Sequence, residues 1–272
     1  MSALHDAFAR ARTEGRAALI GYLPSGFPTQ SEGIALATAI VDAGVDIVEI
    51  GLPYSDPLMD GPTIQAAVHR SLVAGSSLAH VLETVSAVAA TGAPTLVMTY
   101  WNPVEHIGVA AFADRLAAAG GVGVITPDLT PEESTDWLAA TRVAGLERVF
   151  LVAPSSTRTR LATVAQVTDG FVYAASTMGV TGARASVGAG ARELVARVRE
   201  VTELPVAVGL GVSTGEQAAE VASYADGVIV GSAFVARILA APDHEAAVAS
   251  VRELAAELAT GVRGRAVGAA QR

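Results

Sequence analysis

The chain contains neither cysteine nor lysine. The first absence excludes disulfides and thiolate metal sites. The second means that a phosphate site has to rely on backbone amides and helix ends, or on arginine. Aromatic residues are sparse, at 5% of 272 positions, and the formal net charge is -9. So acidic a chain lacks the basic patch that nucleic-acid backbones require. No apolar run reaches the ~18 residues of a membrane span. The first ten residues carry His5, Asp6 and Arg10 and read as an amphipathic helix, because they lack the apolar stretch of a signal peptide. The five histidines are scattered without ligand spacing, which leaves metal catalysis unsupported. These features fit a soluble, cytoplasmic protein with no nucleic-acid or membrane partner. Apolar residues, by contrast, are plentiful at 51%, enough for a substantial core.

Short β-branched runs alternate with alanine-rich helical stretches. Strands are expected at 18–23, 47–50, 95–99, 122–125, 149–152, 171–174, 206–208 and 228–230. Helical patterns fall at 31–43, 64–74, 78–91, 109–119, 132–143, 160–167, 191–201 and 215–223, with a last helix at 244–260. Glycines such as Gly44, Gly120 and Gly145 close a helix just before a strand, where a left-handed cap is useful. Eight strands, each followed by a helix, predict an α/β fold of the (β/α)8 TIM-barrel type, for which ~250 residues is typical. The expected barrel is one domain over 1–272, with an extra N-terminal helix, a short helix at 232–239 after strand eight, and a frayed tail at 261–272.

The most informative segment runs from Asp46 to Gln65. Val48 and Ile50 share one face of its strand, and Ile47, Glu49 and Gly51 share the other. If the first face packs on helices, Glu49 points to whatever the second face encloses. A buried carboxylate is costly and suggests a task, although a solvent-facing strand end or a structural salt bridge would also accommodate it. Barrel active sites lie at the C-terminal ends of the strands. Glu49 is at such an end, and Asp60 is in the loop that follows.

Glycines gather after the last three strands. They occur in a long loop from Ser176 to Gly190, in Gly209-Leu210-Gly211-Val212-Ser213, and in Gly231-Ser232 before the short helix. Such loops let amides approach an anion and commonly bind phosphate in barrels. Taken singly, each glycine is equally well explained as a turn former. The 176–190 loop has the length and small residues of a lid, or of a plain excursion. Arg184, within it, reads as an anion contact or as a surface charge.

At these residues the chain resembles the tryptophan synthase alpha-subunit family, from about Leu19 to the last helix. The resemblance is carried by Glu49-Ile50-Gly51-Leu52-Pro53-Tyr54-Ser55-Asp56-Pro57-Leu58-Met59-Asp60-Gly61-Pro62-Thr63-Ile64-Gln65. Gly179-Val180-Thr181-Gly182, the glycine motifs at 209–213 and 231–233, and Met98-Thr99-Tyr100-Trp101-Asn102-Pro103 add to it. It implies a lyase that cleaves indole-3-glycerol phosphate to indole and glyceraldehyde 3-phosphate in tryptophan biosynthesis. It further implies that Glu49 and Asp60 are the catalytic pair. Gly182, Gly211, Gly231 and Ser232 would bind the phosphate, and Thr181 would bind the substrate; Tyr22, Tyr100, Leu129 and Tyr173 would wall the indole pocket. Tyr173 is also expected to brace Glu49 by a hydrogen bond, and Asp128 is expected to be structural. A beta subunit would complete an alpha2beta2 heterotetramer and carry the pyridoxal phosphate, so this chain is expected to hold no cofactor and no metal. The turn 53–57, the Asn102-Pro103 loop and the loop 128–131 would meet that partner. Met59, Thr130 and the lid start Ser176-Thr177-Met178 depart from the usual family residues. Two rivals remain at this level: another phosphate-binding barrel enzyme, and a non-catalytic activator of a beta subunit.

Overall fold

Residues 2–175, 189–209 and 211–263 are described by a computed structural model. The apolar alternation becomes nine strands: β1 Ala18–Pro24, β2 Ile47–Gly51, β3 Thr95–Met98, β4 Gly123–Ile125, β5 Glu147–Val149, β6 Leu151–Val152, β7 Val172–Ala175, β8 Val206–Gly209 and β9 Gly227–Val230. All pair in parallel, in the order β5-β4-β3-β2-β1-β9-β8-β7-β6. The two strands at the ends of that order are consecutive in the chain, separated only by Phe150. They are halves of one strand, so the sheet closes as an eightfold barrel. The first half bonds to β4 and the second to β7, as the stagger of a closed barrel requires. The sequence reading placed a single strand at 149–152 because alternation does not reveal which neighbour each half will find.

The two faces of the strands build two cores. Ala18, Ile20, Ile47, Leu96, Ile125, Val149, Phe171, Ala207 and Ile229 fill the barrel, together with Leu4, Ala7, Phe8 and Ala11 of the helix Ala3–Thr13. That helix plugs the N-terminal mouth, where Phe8 meets Phe171 at a ring separation of 5.5 Å. Leu19, Val48, Ile50, Val97, Val124, Val208 and Val228 face outward into the shell of helices. Charged clamps hold the same end. Asp46, just before β2, accepts the Leu19 N–H at 2.9 Å and a bidentate pair from Arg16 at 2.6 and 2.8 Å. Asp226, just before β9, does likewise with the Val206 N–H at 3.0 Å and Arg199 at 3.1 Å. With one mouth plugged and clamped, the opposite rim is left for chemistry.

The largest departures from the expected boundaries are three. Trp101–Ile107 is a helix, because Pro103 falls in its first turn, where a missing N–H costs nothing. A single 3-10 turn at Pro131–Glu133 delays the next helix to Thr135–Ala144. The expected frayed tail is corrected at its start: the last helix, His244–Arg263, continues through Gly261. A side chain at 261 would collide with the Gly215 carbonyl, so this glycine marks a close approach of two segments. Val262 behind it is buried, and its carbonyl accepts the Ala17 N–H at 3.3 Å. Residues 264–272 lie outside the described residues. Among the described residues, no single helix is long and apolar enough to cross a membrane.

Candidate active site

The period of two in β2 decides where Glu49 points. Ile47 belongs to the barrel interior while Val48 and Ile50 belong to the outer shell, so Glu49 projects inward. It lies in register with Tyr22 of β1 and Leu96 of β3. Glu49 is fully buried, and neither carboxyl oxygen has a hydrogen-bond partner. Burial alone pushes its pKa up to about 8. At neutral pH it is therefore mostly a protonated acid held in an apolar wall.

The expected hydrogen bond from Tyr173 to Glu49 is not made. Tyr173 leans instead across the neighbouring strand, into the space left by Gly209. A side chain there would stand 2.6 Å from the phenol oxygen and 2.9 Å from the ring. Tyr173 still lies within electrostatic reach of the site: burial first, then the charges of Glu49 and Asp60, raises its pKa.

Asp60 is presented by the rigid turn after β2. Gly61 precedes the helix Pro62–Val73, with proline in the first turn, and the Gln65 amide holds the Asp60 carbonyl at 2.8 Å. The buried Tyr100 hydroxyl accepts the Met59 N–H at 2.9 Å and lies within electrostatic reach of the Asp60 carboxyl. Burial raises the Asp60 pKa, and the Tyr100 hydroxyl opposes that rise. Burial pushes the Tyr100 phenol itself up to about 12, so it remains protonated across the neutral range.

Tyr22 sits between two glycines. A side chain at Gly51 would collide with its hydroxyl, and one at Gly231 would stand 3.0–3.3 Å from its ring and Cβ. Gly231, read from the sequence as a phosphate contact, thus has a second physical reason to be glycine. Burial comes first among the causes that raise the Tyr22 pKa, followed by the charge of Asp60, then Tyr100, Glu49 and Tyr173. Both carboxylates therefore act on the same two phenols, one from β1 and one from β7.

The remaining expected contacts are distributed around the rim. Gly211 has φ +71°, a conformation that favours glycine. Ser232 opens the helix Ser232–Ala240, whose N-terminus no side chain caps, leaving first-turn amides for an anion. Thr181 and Gly182, with Arg184 and the rest of the segment read as a lid, lie outside the described residues. Leu129 is buried and lines a cavity of about 470 Å³ with Met59, Leu151 and Ala175. Leu151 is in register with Tyr173, which places that cavity beside the barrel mouth. Asp128 is exposed, and both its oxygens accept the Trp101 N–H, at 2.9 and 3.0 Å. Sequence reasoning missed this bond and the Met59–Tyr100–Asp60 link. Both join loops of different strands, and no local spacing signals them.

Comparison with known proteins places this fold in a family. The family model described as tryptophan synthase alpha chain matches residues 8–263. The tryptophan synthase alpha chain of Acidothermus cellulolyticus is 60% identical over 263 residues, covering 97% of this chain and 98% of the relative. That of Thermobifida fusca is 58% identical, covering 98% and 100%. A chain of the Mycobacterium tuberculosis tryptophan synthase structure superposes with a TM-score of 0.91 at 53% identity, covering 96% and 98%.

Proposed function

The chain belongs to the tryptophan synthase alpha chain family, the lyases that cleave indole-3-glycerol phosphate to indole and glyceraldehyde 3-phosphate, and we propose that Glu49 and Asp60 carry that reaction. The observation behind the assignment is the unpartnered, fully buried Glu49 carboxyl beside the Tyr22 and Tyr173 rings that also feel Asp60.

With its pKa at about 8, Glu49 begins as an acid. It gives its proton to indole C3. The resulting carboxylate then takes the proton of the glycerol hydroxyl next to the scissile bond. That C–O–H becomes an aldehyde carbonyl as the C–C bond breaks, and the bond's electron pair returns to the indole ring. Glu49 ends protonated, ready for another cycle. Between the two transfers the indole nitrogen carries positive character. Ionised Asp60, accepting the ring N–H, stabilises it where it forms. Two carboxyls in unlike surroundings divide the work, one kept protonated by full burial and the other half-exposed beside the Tyr100 phenol.

Gly211, Gly231 and Ser232, with Gly182 outside the described residues, bind the phosphate, and Thr181 contacts the substrate; the uncapped helix end and the lack of lysine support this. Tyr22, Tyr100, Leu129 and Tyr173 wall the indole. A beta subunit docks on the rim loops as part of an alpha2beta2 complex and carries the pyridoxal phosphate. This chain has no lysine side chain to which such a cofactor could be attached. The cytoplasm is its compartment.

Positioned proton transfer is worth ~10²–10⁴-fold. Glu49→Gln should therefore lower indole release from indole-3-glycerol phosphate by at least ~100-fold, while substrate still quenches or shifts tryptophan fluorescence on binding. Normal turnover by that variant would reject the assignment. A wild-type chain that bound a beta subunit but released no indole would favour the activator reading.

A further inference from the structure

We propose that Asp128 is a positioning residue for this reaction: by holding the Trp101 N–H it fixes Tyr100, whose hydroxyl in turn holds the Met59 N–H and so the turn that presents Asp60. The inference rests on the assignment of Asp60 above.

Tyr100 occupies the cap position ahead of the helix Trp101–Ile107, where Ser, Thr, Asp or Asn usually bonds the first-turn amides with its own side chain. Here no such bond exists, because the phenol is turned toward the loop after β2, against Met59 and Asp60. The capping bond is supplied from another strand. Asp128, in the loop after β4, places both oxygens on the Trp101 N–H. The other flank of Tyr100 is also held, by Thr99 N–H to the Ile125 carbonyl at 3.0 Å and by the Thr99 hydroxyl to the Tyr100 carbonyl at 3.0 Å. A phenol is a long lever. Loosening the backbone on the Trp101 side swings its hydroxyl away from the Met59 N–H and from the Asp60 carboxyl beside it.

Asp60 is faced by Tyr22 from β1, Tyr173 from β7 and Tyr100 from the loop after β3. Of these, Tyr100 is the group that opposes the effect of burial. Moving its hydroxyl away lets the Asp60 pKa climb. Asp128 itself is exposed, so its replacement removes a hydrogen bond without opening a cavity.

The test uses the full-length chain with indole-3-glycerol phosphate, following glyceraldehyde 3-phosphate with a coupled dehydrogenase. A displacement of about 1 Å at a reacting centre costs roughly 100-fold, so a partial swing in Asp128→Ala should lower kcat by about 10- to 100-fold. KM should change by less than about twofold, since the loss falls in the transition state. The acid limb of the kcat–pH profile should move to higher pH. Asp128→Asn keeps an acceptor for the Trp101 N–H and should recover most of the rate. In a Tyr100→Phe background, Asp128→Ala should cost little more, because the path through the phenol is already cut. The proposal is overturned by an unchanged kcat, by a raised KM at constant kcat, by an acid limb that stays in place, or by full additivity with Tyr100→Phe. Failure of the wild-type chain to turn over at all would instead count against the assigned function.

Discussion

Replacing Glu49 by glutamine should change how stability depends on pH, and the size of the change follows from the site. The carboxyl moves from an ordinary value of 4.5 to about 8 because it is fully buried, with no hydrogen bond to either oxygen. A folded-state pKa raised above the unfolded one means that the native chain keeps a proton the unfolded chain releases. The associated stability is fully present below about pH 4.5, falls between 4.5 and 8, and is flat above. The separation, 8 minus 4.5, is about 3.5 pH units. At about 1.36 kcal/mol per unit it corresponds to about 5 kcal/mol across the whole window, with about 3 kcal/mol of that already lost at pH 7. Glutamine preserves shape and hydrogen-bonding capacity but does not titrate. Urea unfolding of the two chains at pH 5, 6, 7, 8 and 9 should therefore give stabilities that diverge in favour of the variant as pH rises, then run parallel. Asp60→Asn, at a partly exposed carboxyl, is the comparison and should diverge much less. Curves for wild type and Glu49→Gln that stay parallel from pH 5 to 9 would refute the buried, unpartnered acid and the proton shuttle with it.

Further outcomes follow from the same geometry. The wild-type kcat/KM should fall as pH rises through about 8, where Glu49 loses the proton it must donate. Activity should also fall in acid, as Asp60 protonates, with that limb above the ordinary aspartate range because burial raises its pKa; a profile flat from pH 7 to 9.5 would contradict the first part. Gly51→Ala places a methyl group against the Tyr22 hydroxyl. It should destabilise by about 1–3 kcal/mol, the usual cost of overpacking, and reduce turnover, both measurable by thermal melts and indole release. Gly261→Ala, at the far end of the molecule, should lower the melting temperature through its clash with the Gly215 carbonyl while leaving kcat unchanged. An effect on kcat there would mean that the last helix communicates with the rim.

The chain's own order of residues determined a great deal. Alternation in Ile47–Gly51 was sufficient to set Glu49 on the face opposite Val48 and Ile50, because a strand's side-chain period is fixed by covalent geometry; the packing of the barrel made that face the interior. Strand–helix repetition implied the barrel, and the barrel rule put Glu49 and Asp60 on the working rim. Other features arose only when distant segments met. Phe150 divides a strand because barrel stagger gives each half a different neighbour. Gly51, Gly209 and Gly231 are glycine partly because tyrosine rings from adjacent strands fill their missing side chains, which no reading of one segment could reveal. Tyr173 goes to one of those gaps and leaves Glu49 without the expected bond. Tyr100 reaches Asp60 across 40 positions of sequence, and Asp128 holds the Trp101 amide across 27. Local sequence sets where each side chain can point; which partner it meets, and hence its pKa and its hydrogen bonds, is set by the closure of the barrel.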